Sequence, residues 1–570
     1  MQQAPQKRWI PKEIPNREII QKLSTDLHVN EVLSTLIAQR GIDSFEEAKK
    51  YFNPTVENLH DPFLMKDMDN AIERIHKAIV DQENIMIYGD YDVDGTTSVA
   101  LLYRYFSNFS DHLQYYVPNR FSEGYGVSHL GVEKAIETKA SLIIAIDCGI
   151  KDNREIQFAK DNGIDFIVCD HHTPGVDIPN ALAILNPKQI DCSYPYKELS
   201  GCGIGYKLIQ AYSSQSASSV DPLDLIDLVA VSIASDIVPI VDENRVLAYL
   251  GLRKFNKNPL PVFKIMLENL DLKKELNITD LVFIIGPRLN ASGRLSHASN
   301  TVDLLIKDDA DEIRKIAGEI NEINLQRREL DQEIVENALK IIDNDEELKK
   351  RKTTVLWDAG WHKGVIGIVA SRLIETYYRP TILLTESEGV LVGSARSVFG
   401  FDLYQAISQC SEYLDRFGGH QFAAGLSMKK ENFEAFSKKF EEVVSSTILE
   451  ECLTPSILYD IEMPLEFVNM KIINTIDRLG PFGPSNMKPR FVSKGLKLAE
   501  TARVVGKDHL KLAIQSDKKL TFNAIAFKQA YQLEALNNGK AFDICYTLEI
   551  NEWNSYKNVQ LNIKDIKVSS

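Results

Sequence analysis

Between about residue 70 and residue 250 the chain alternates short, unbroken apolar runs with helix-like stretches, and this pattern constrains its fold more than any other feature. The runs are Asn84-Ile-Met-Ile-Tyr-Gly89, Ser141-Leu-Ile-Ile-Ala-Ile146, Asp165-Phe-Ile-Val-Cys169 and Ala181-Leu-Ala-Ile-Leu185. A strand with one wet face alternates apolar and polar residues, whereas a strand buried on both faces of a parallel sheet does not. Isoleucine-rich runs without alternation, separated by helices, predict an α/β fold built on a doubly wound parallel sheet. Ligands of such sheets bind beyond the carboxyl ends of the strands. The residues that follow each run are therefore where chemistry is to be sought.

Three of those positions are acidic. Gly89-Asp-Tyr-Asp-Val-Asp-Gly95 follows the first run, Asp147 the second and Asp170-His171-His172 the third. Asp90, Asp92 and Asp94 crowd their carboxylates into one turn, where they repel one another unless a cation sits among them. Taken alone, the spacing matches the start of a calcium loop. An EF-hand, however, needs a helix before the loop and a glutamate at its end, where this chain has Leu101. Histidine among aspartates, without thiolates, suits Mn²⁺ or Mg²⁺ better than structural zinc. Asp236, after the apolar run that begins at Leu228, is a fourth contribution, with a capping or turn role as its alternative. A helix cap is the alternative for Asp147.

At 570 residues, 44% hydrophobic and 25% charged, the chain is too long for one core and too apolar for disorder. Residues 1–60 read as an N-terminal extension, the first 45 or so assigned no role beyond packing, and 61–300 as the catalytic domain. Residues 301–350 lack proline and place Ile313, Ile316, Ile320 and Ile323 at helical spacing, which predicts a long connecting helix. A second, smaller α/β domain follows at 351–450. At 455–570 strand-like runs such as Lys511-Leu-Ala-Ile514 predict a small β-barrel, whose Phe522, Phe527 and Tyr546 read as core. Gly201-Cys-Gly-Ile-Gly205 fits no nucleotide-loop pattern and predicts a helix start with close backbone packing.

The net charge of -15 cautions against nucleic acid as a partner, but a local basic track can coexist with an acidic remainder. Seven scattered cysteines without paired spacing read as reduced core thiols. No segment approaches the roughly 18 apolar residues of a membrane helix and no signal peptide is visible, so the expected location is the cytoplasm.

The ordered motifs Asp90-Tyr-Asp-Val-Asp-Gly95, Asp147-Cys-Gly149, Asp170-His-His172 and Asp236 resemble those of the DHH phosphoesterases. Further on, Gly286-Pro-Arg-Leu-Asn-Ala-Ser-Gly-Arg-Leu295, Gly393-Ser-Ala-Arg396 and Gly418-Gly-His420 are similar to segments of the RecJ branch, so the resemblance runs from about Lys49 to the β-rich tail. It implies a DHH domain, a DHHA1-type companion and an OB-like barrel. It further implies that Asp92, Asp94, Asp147, His171 and Asp236 hold two ions, Mn²⁺ or Mg²⁺, with Asp147 bridging. Some relatives carry a histidine where this chain has Tyr88, so Asp90 or water would supply that contact. His172 would face the scissile phosphate, Arg120, Arg294, Ser394 and Arg396 would hold phosphate, and His420 would close the site. The alternative for Arg396 is an ion pair with Asp402.

The activity so implied is 5′-to-3′ exonuclease digestion of single-stranded DNA to mononucleotides, in recombination and repair. Its implied associates are a single-strand binding protein and a RecQ-type helicase, and its expected state is a monomer. Two rival readings stay open: a DHH enzyme for small phosphoesters such as cyclic dinucleotides, and a scaffold that has lost catalysis.

Overall fold

The computed structural model describes residues 7–216, 220–516, 518–553 and 556–569. They form two compact units, one comprising Phe45–Leu325 with Arg478–Lys488, the other Met1–Ser44, Gln326–Asp477 and Pro489–Ser570.

The first unit is built on five parallel strands in the spatial order Leu113–Tyr116, Ile85–Gly89, Leu142–Ile146, Asp165–Cys169, Ala183–Leu185. The missing alternation has a direct cause. Ile85, Ile87, Ile144, Ile146 and Ile167 enter one core, under helices that include Val93–Phe106 and Gly201–Gln215. Met86, Tyr88, Ile143, Ala145 and Phe166 enter a second core on the opposite face. Both faces are dry, and each fully buried isoleucine contributes roughly 1.5–3 kcal/mol. The first two strands in the chain lie side by side at one edge, and the third returns to the other flank of Ile85–Gly89. The strand order therefore reverses between Ile85–Gly89 and Leu142–Ile146, which opens a crevice at the carboxyl ends of those two strands. Asp90 and Asp147 are the residues that follow them. The strand that sequence patterning missed is Leu113–Tyr116, a half-buried edge strand of four residues with only one apolar aliphatic side chain.

In the second unit the strands Thr354–Trp357 and Thr381–Ser387 run parallel around helix Ile366–Thr376. Val390–Arg396, Ala423–Met428 and Arg416–His420 continue the sheet antiparallel, with Arg416–His420 outermost. The connecting helix runs over Ala310–Asp343, and a separate short helix, Glu346–Lys350, follows it.

The tail is a closed barrel. Phe491–Val505, His509–Gln515, Thr521–Ala526, Tyr556–Val568 and Phe542–Trp553 pair in that order, and the last pairs back onto the first. Closure removes the exposed strand edges that invite aggregation. Tyr546 is fully buried, as expected of a core residue, but Phe527 is 49% exposed and Phe522 only half-buried. Phe527 lies just past the end of Thr521–Ala526, where the inward–outward alternation no longer binds it to the core. The N-terminal extension has a defined place: Arg8–Pro11 pairs in parallel with Ser456–Tyr459, and the Trp9 indole donates to Asp565 at 2.7 Å. All seven cysteines are buried and free. No helix among the described residues is long and apolar enough to cross a membrane.

Candidate metal centre

The acidic segment after Ile85–Gly89 is the first turn of a helix rather than a free loop. Asp92 is the N-cap of Val93–Phe106, its carboxylate accepting from the Gly95 amide at 3.0 Å. Gly95 is required there, because a Cβ would stand 2.4 Å from the Asp90 carbonyl oxygen. Asp94, one position into the helix, is buried. It accepts from the Gly201 and Cys202 amides at 2.7 and 2.9 Å and from the Ser232 hydroxyl at 2.7 Å. The glycine-rich segment is thus a helix start whose amides grip a carboxylate, and its close packing is literal: a Cβ on Gly201 would sit 2.7 Å from that of Asp147.

Asp147 ends its strand at φ 62°, a left-handed conformation that turns its carboxylate into the crevice. Its Oδ1 lies 3.1 Å from His171 Nε2. The same nitrogen is 3.7 Å from Asp236 Oδ2 and 3.8 Å from Asp94 Oδ2. Asp236 reaches the site as the last residue of helix Ile226–Asp236. Ligand atoms of Asp94, His171 and Asp236 fall within 4.8 Å of one another, as do those of Asp147, His171 and His172. Tyr88 takes no part: its hydroxyl donates to the Gly126 carbonyl at 3.1 Å.

The electrostatics are those of a site short of positive charge. Burial first, then neighbouring carboxylates, holds Asp90 and Asp147 well above the ordinary aspartate range and raises Asp92. Asp236 is pushed up to about 9 by burial and by Asp94 and Asp92. The buried Asp90 Oδ1 has no hydrogen-bond partner, and Asp147 Oδ1, though 3.1 Å from His171 Nε2, makes no aligned hydrogen bond. Such oxygens are costly unless a cation or proton meets them.

Asp170 has a different task. It accepts from the Ile150 amide at 2.9 Å and from the His172 amide at 3.0 Å, and its Oδ1 is 2.7 Å from His172 Nδ1. Burial acts to raise its pKa, but the bond and charge of His172 outweigh it and bring it to about 2. Burial likewise acts to lower His172, and Asp170 outweighs it, so the imidazole is raised.

Arg120 lies 4.9 Å from the centre of the Tyr91 ring, and both it and Arg294 act electrostatically on Tyr91 beside the aspartates. In the second unit, Arg396 donates to the Ser394 hydroxyl at 2.9 Å. The pair faces the first turn of Ile366–Thr376, where a Cβ on Gly367 would meet Ser394 Oγ at 2.8 Å and an Arg396 nitrogen at 2.9 Å. Asp402 instead caps helix Leu403–Ser408 through the Gln405 amide. His420 is exposed at the end of the outermost strand. Sequence reasoning missed Tyr125, whose hydroxyl is 3.0 Å from both His172 ring nitrogens and donates to the Asp147 carbonyl at 3.2 Å. Its setting, Gly124-Tyr-Gly126, was the available signal, since paired glycines mark a tight loop.

Comparison with known proteins agrees with this geometry. Residues 84–233 match the DHH family, N-terminal domain, residues 350–446 the DHHA1 domain and residues 459–565 the RecJ OB domain. Fold and site together are thus those of a DHH phosphoesterase with its companion domain. The single-stranded-DNA-specific exonuclease RecJ of Bacillus subtilis (strain 168) is 35% identical over 571 residues, covering 99% of this chain and 71% of that protein. That of Salmonella typhimurium is 32% identical over 580 residues, covering 97% of this chain and 99% of that protein. The crystal structure of RecJ in complex with Mn²⁺ from Thermus thermophilus superposes with a TM-score of 0.85 at 26% identity, over 99% of this chain and 80% of that one. The chain belongs to the RecJ family.

Proposed function

We propose that this protein is a single-stranded-DNA-specific exonuclease that removes 5′-mononucleotides in the 5′-to-3′ direction, in DNA recombination and repair. The observation that carries the reading is the convergence of Asp94, Asp147, His171 and Asp236 on one crevice, where Asp147 Oδ1 lies 3.1 Å from His171 Nε2 without making an aligned hydrogen bond. These residues and Asp92 would hold two divalent cations, Mn²⁺ or Mg²⁺, with Asp90 as a further candidate contact. Bound there, such ions lower the pKa of a nucleophilic water and offset charge on the leaving oxygen.

The chain's own side chains do the rest. His172, raised and oriented by Asp170, presents a donor to the phosphoryl oxygens. Arg120 and Arg294 add guanidinium charge beside it. Ser394 and Arg396 form a hydroxyl–guanidinium pair suited to a terminal 5′-phosphate, and the exposed His420 of the same domain is a further candidate for substrate contact. The barrel, with Phe527 exposed, offers bases a stacking surface that a small-phosphoester enzyme does not need. In the same reading the enzyme is a cytoplasmic monomer that works beside a single-strand binding protein and a RecQ-type helicase.

The test is digestion of 5′-phosphorylated single-stranded DNA labelled at either end, with Mn²⁺. The expected result is early release of mononucleotide from the 5′ label and none from blunt duplex. Release from the 3′ label first would overturn the polarity. No release from either end, with metal binding intact, would move the assignment to small phosphoesters.

A further inference from the structure

Arg120 and Tyr125 both lie in the segment 119–128, between strand Leu113–Tyr116 and helix His129–Glu137. Surface loops that order only around a ligand have few bonds of their own. This one is tied internally at both feet. Glu123 accepts from the Asn119 amide at 2.7 Å, from the Tyr116 hydroxyl at 2.8 Å and from the Ser128 hydroxyl at 2.5 Å, so one carboxylate joins the start of the loop to its end. The Asn119 side chain accepts from the Phe121 and Ser122 amides at 2.8 and 3.2 Å. At the far foot the Ser128 amide donates to the Tyr88 hydroxyl at 2.9 Å and the Val127 amide to Asp152 at 2.7 Å. Gly124 and Gly126 turn at φ 86° and 90°, and a Cβ on Gly126 would strike the Asp152 carboxylate at 2.8 Å. The ring of Tyr88 stacks on that of Tyr116 at 5.4 Å, beneath the carboxylate that Tyr116 serves.

We propose that Glu123 is a positioning residue for the nuclease reaction, which by joining the two ends of the 119–128 loop holds Arg120 over Tyr91 and the Tyr125 hydroxyl against His172 before substrate arrives. The inference rests on the nuclease reading for its kinetic part and on the loop's own bonds for the rest. Glu123 touches neither the metal ligands nor His172. Its effect passes through Arg120 and Tyr125, and that makes it separable from them.

The experiment compares Glu123→Ala, Glu123→Gln, Arg120→Ala and the Glu123→Ala/Arg120→Ala double variant of the full chain, by steady-state kinetics on single-stranded DNA and by hydrogen exchange of the loop amides without DNA. Glu123→Ala is expected to raise KM about tenfold, the scale of one misplaced charged hydrogen bond. Arg120→Ala is then expected to cost markedly less in the Glu123→Ala background than in the wild type. The loop amides are expected to exchange faster in Glu123→Ala alone, with the thermal midpoint and Mn²⁺ affinity held. Glutamine keeps an acceptor for the Asn119 amide, and its NH₂ can donate to the two hydroxyls, so Glu123→Gln is expected to restore both readouts. Strictly multiplicative effects of the two substitutions would overturn the proposal, as would Glu123→Gln behaving like Glu123→Ala. So would rapid exchange of the wild-type loop, which is read without any nuclease activity and so stands apart from failure of the functional reading.

Discussion

A carboxylate at the end of a buried strand is neutralised either by a proton or by a cation. Asp90, Asp92, Asp147 and Asp236 are all raised, Asp236 to about 9, so the metal-free fold binds protons that the unfolded chain, with aspartates near 3.9, does not. The stability these groups contribute is full below about pH 4 and is lost as pH rises through their folded values, for Asp236 around 9. A divalent cation takes the place of those protons. Mn²⁺ is therefore expected to raise the melting temperature more at pH 8 than at pH 6 and to release protons on binding; calorimetry in buffers of different ionisation enthalpy checks both. Asp147→Asn tests the same balance at one position. Asparagine tolerates the left-handed backbone at 147 and removes a raised carboxylate. The metal-free variant is expected to melt no lower than the wild type while losing at least about 100-fold in activity, the scale seen when even a supporting partner of a metal is removed. At this scale Asp90, Asp94, Asp147, His171 and Asp236 were legible because strand ends and motif order mark them. Tyr125 was not, since its position depends on a loop whose bonds join residues from Tyr88 to Asp152.

The unalternated runs 84–89, 141–146 and 165–169 announced their strands because two buried faces leave no polar position. Leu113–Tyr116 went unread because an edge strand needs little burial, and Phe491–Val505 because its fifteen residues carry bulges and exposed lysines that hide the period. Helix Gly201–Gln215 shows how one element serves both fold and site. Its first amides hold Asp94, and Gly205 leaves room for Ile146, whose Cδ1 a Cβ there would meet at 2.6 Å. A methyl group at 201 would press on Asp147. Gly201→Ala is expected to destabilise by about 1–3 kcal/mol, as overpacking does, and to lower metal-dependent hydrolysis well beyond that loss. Urea unfolding and activity on the same preparation separate the two effects, and a variant as active as the wild type would contradict the packing described.

Across the whole molecule the net charge of -15 is no bar to a DNA substrate, because part of that charge is gathered in a crevice where cations belong. In the proposed reading the barrel adds a surface for bases through the exposed Phe527. Phe527→Ala is expected to raise KM for long single strands about tenfold, the worth of one base stack, and to leave very short substrates unaffected. Equal effects on both lengths would place Phe527 in folding instead. The role of the N-terminal extension was not legible, since pairing of Arg8–Pro11 with Ser456–Tyr459 joins residues at opposite ends of the sequence, and nothing local in either strand names its partner. The barrel was readable from its runs, but the order in which its strands pair was not. The measurement that bears most directly on the central claim is anomalous diffraction from crystals of the protein and of Asp147→Ala grown with Mn²⁺. The account predicts two manganese peaks, about 3.5–4 Å apart, among Asp92, Asp94, Asp147, His171 and Asp236, with occupancy lost in the variant. Manganese absent from that crevice, or bound there unchanged without Asp147, would contradict it.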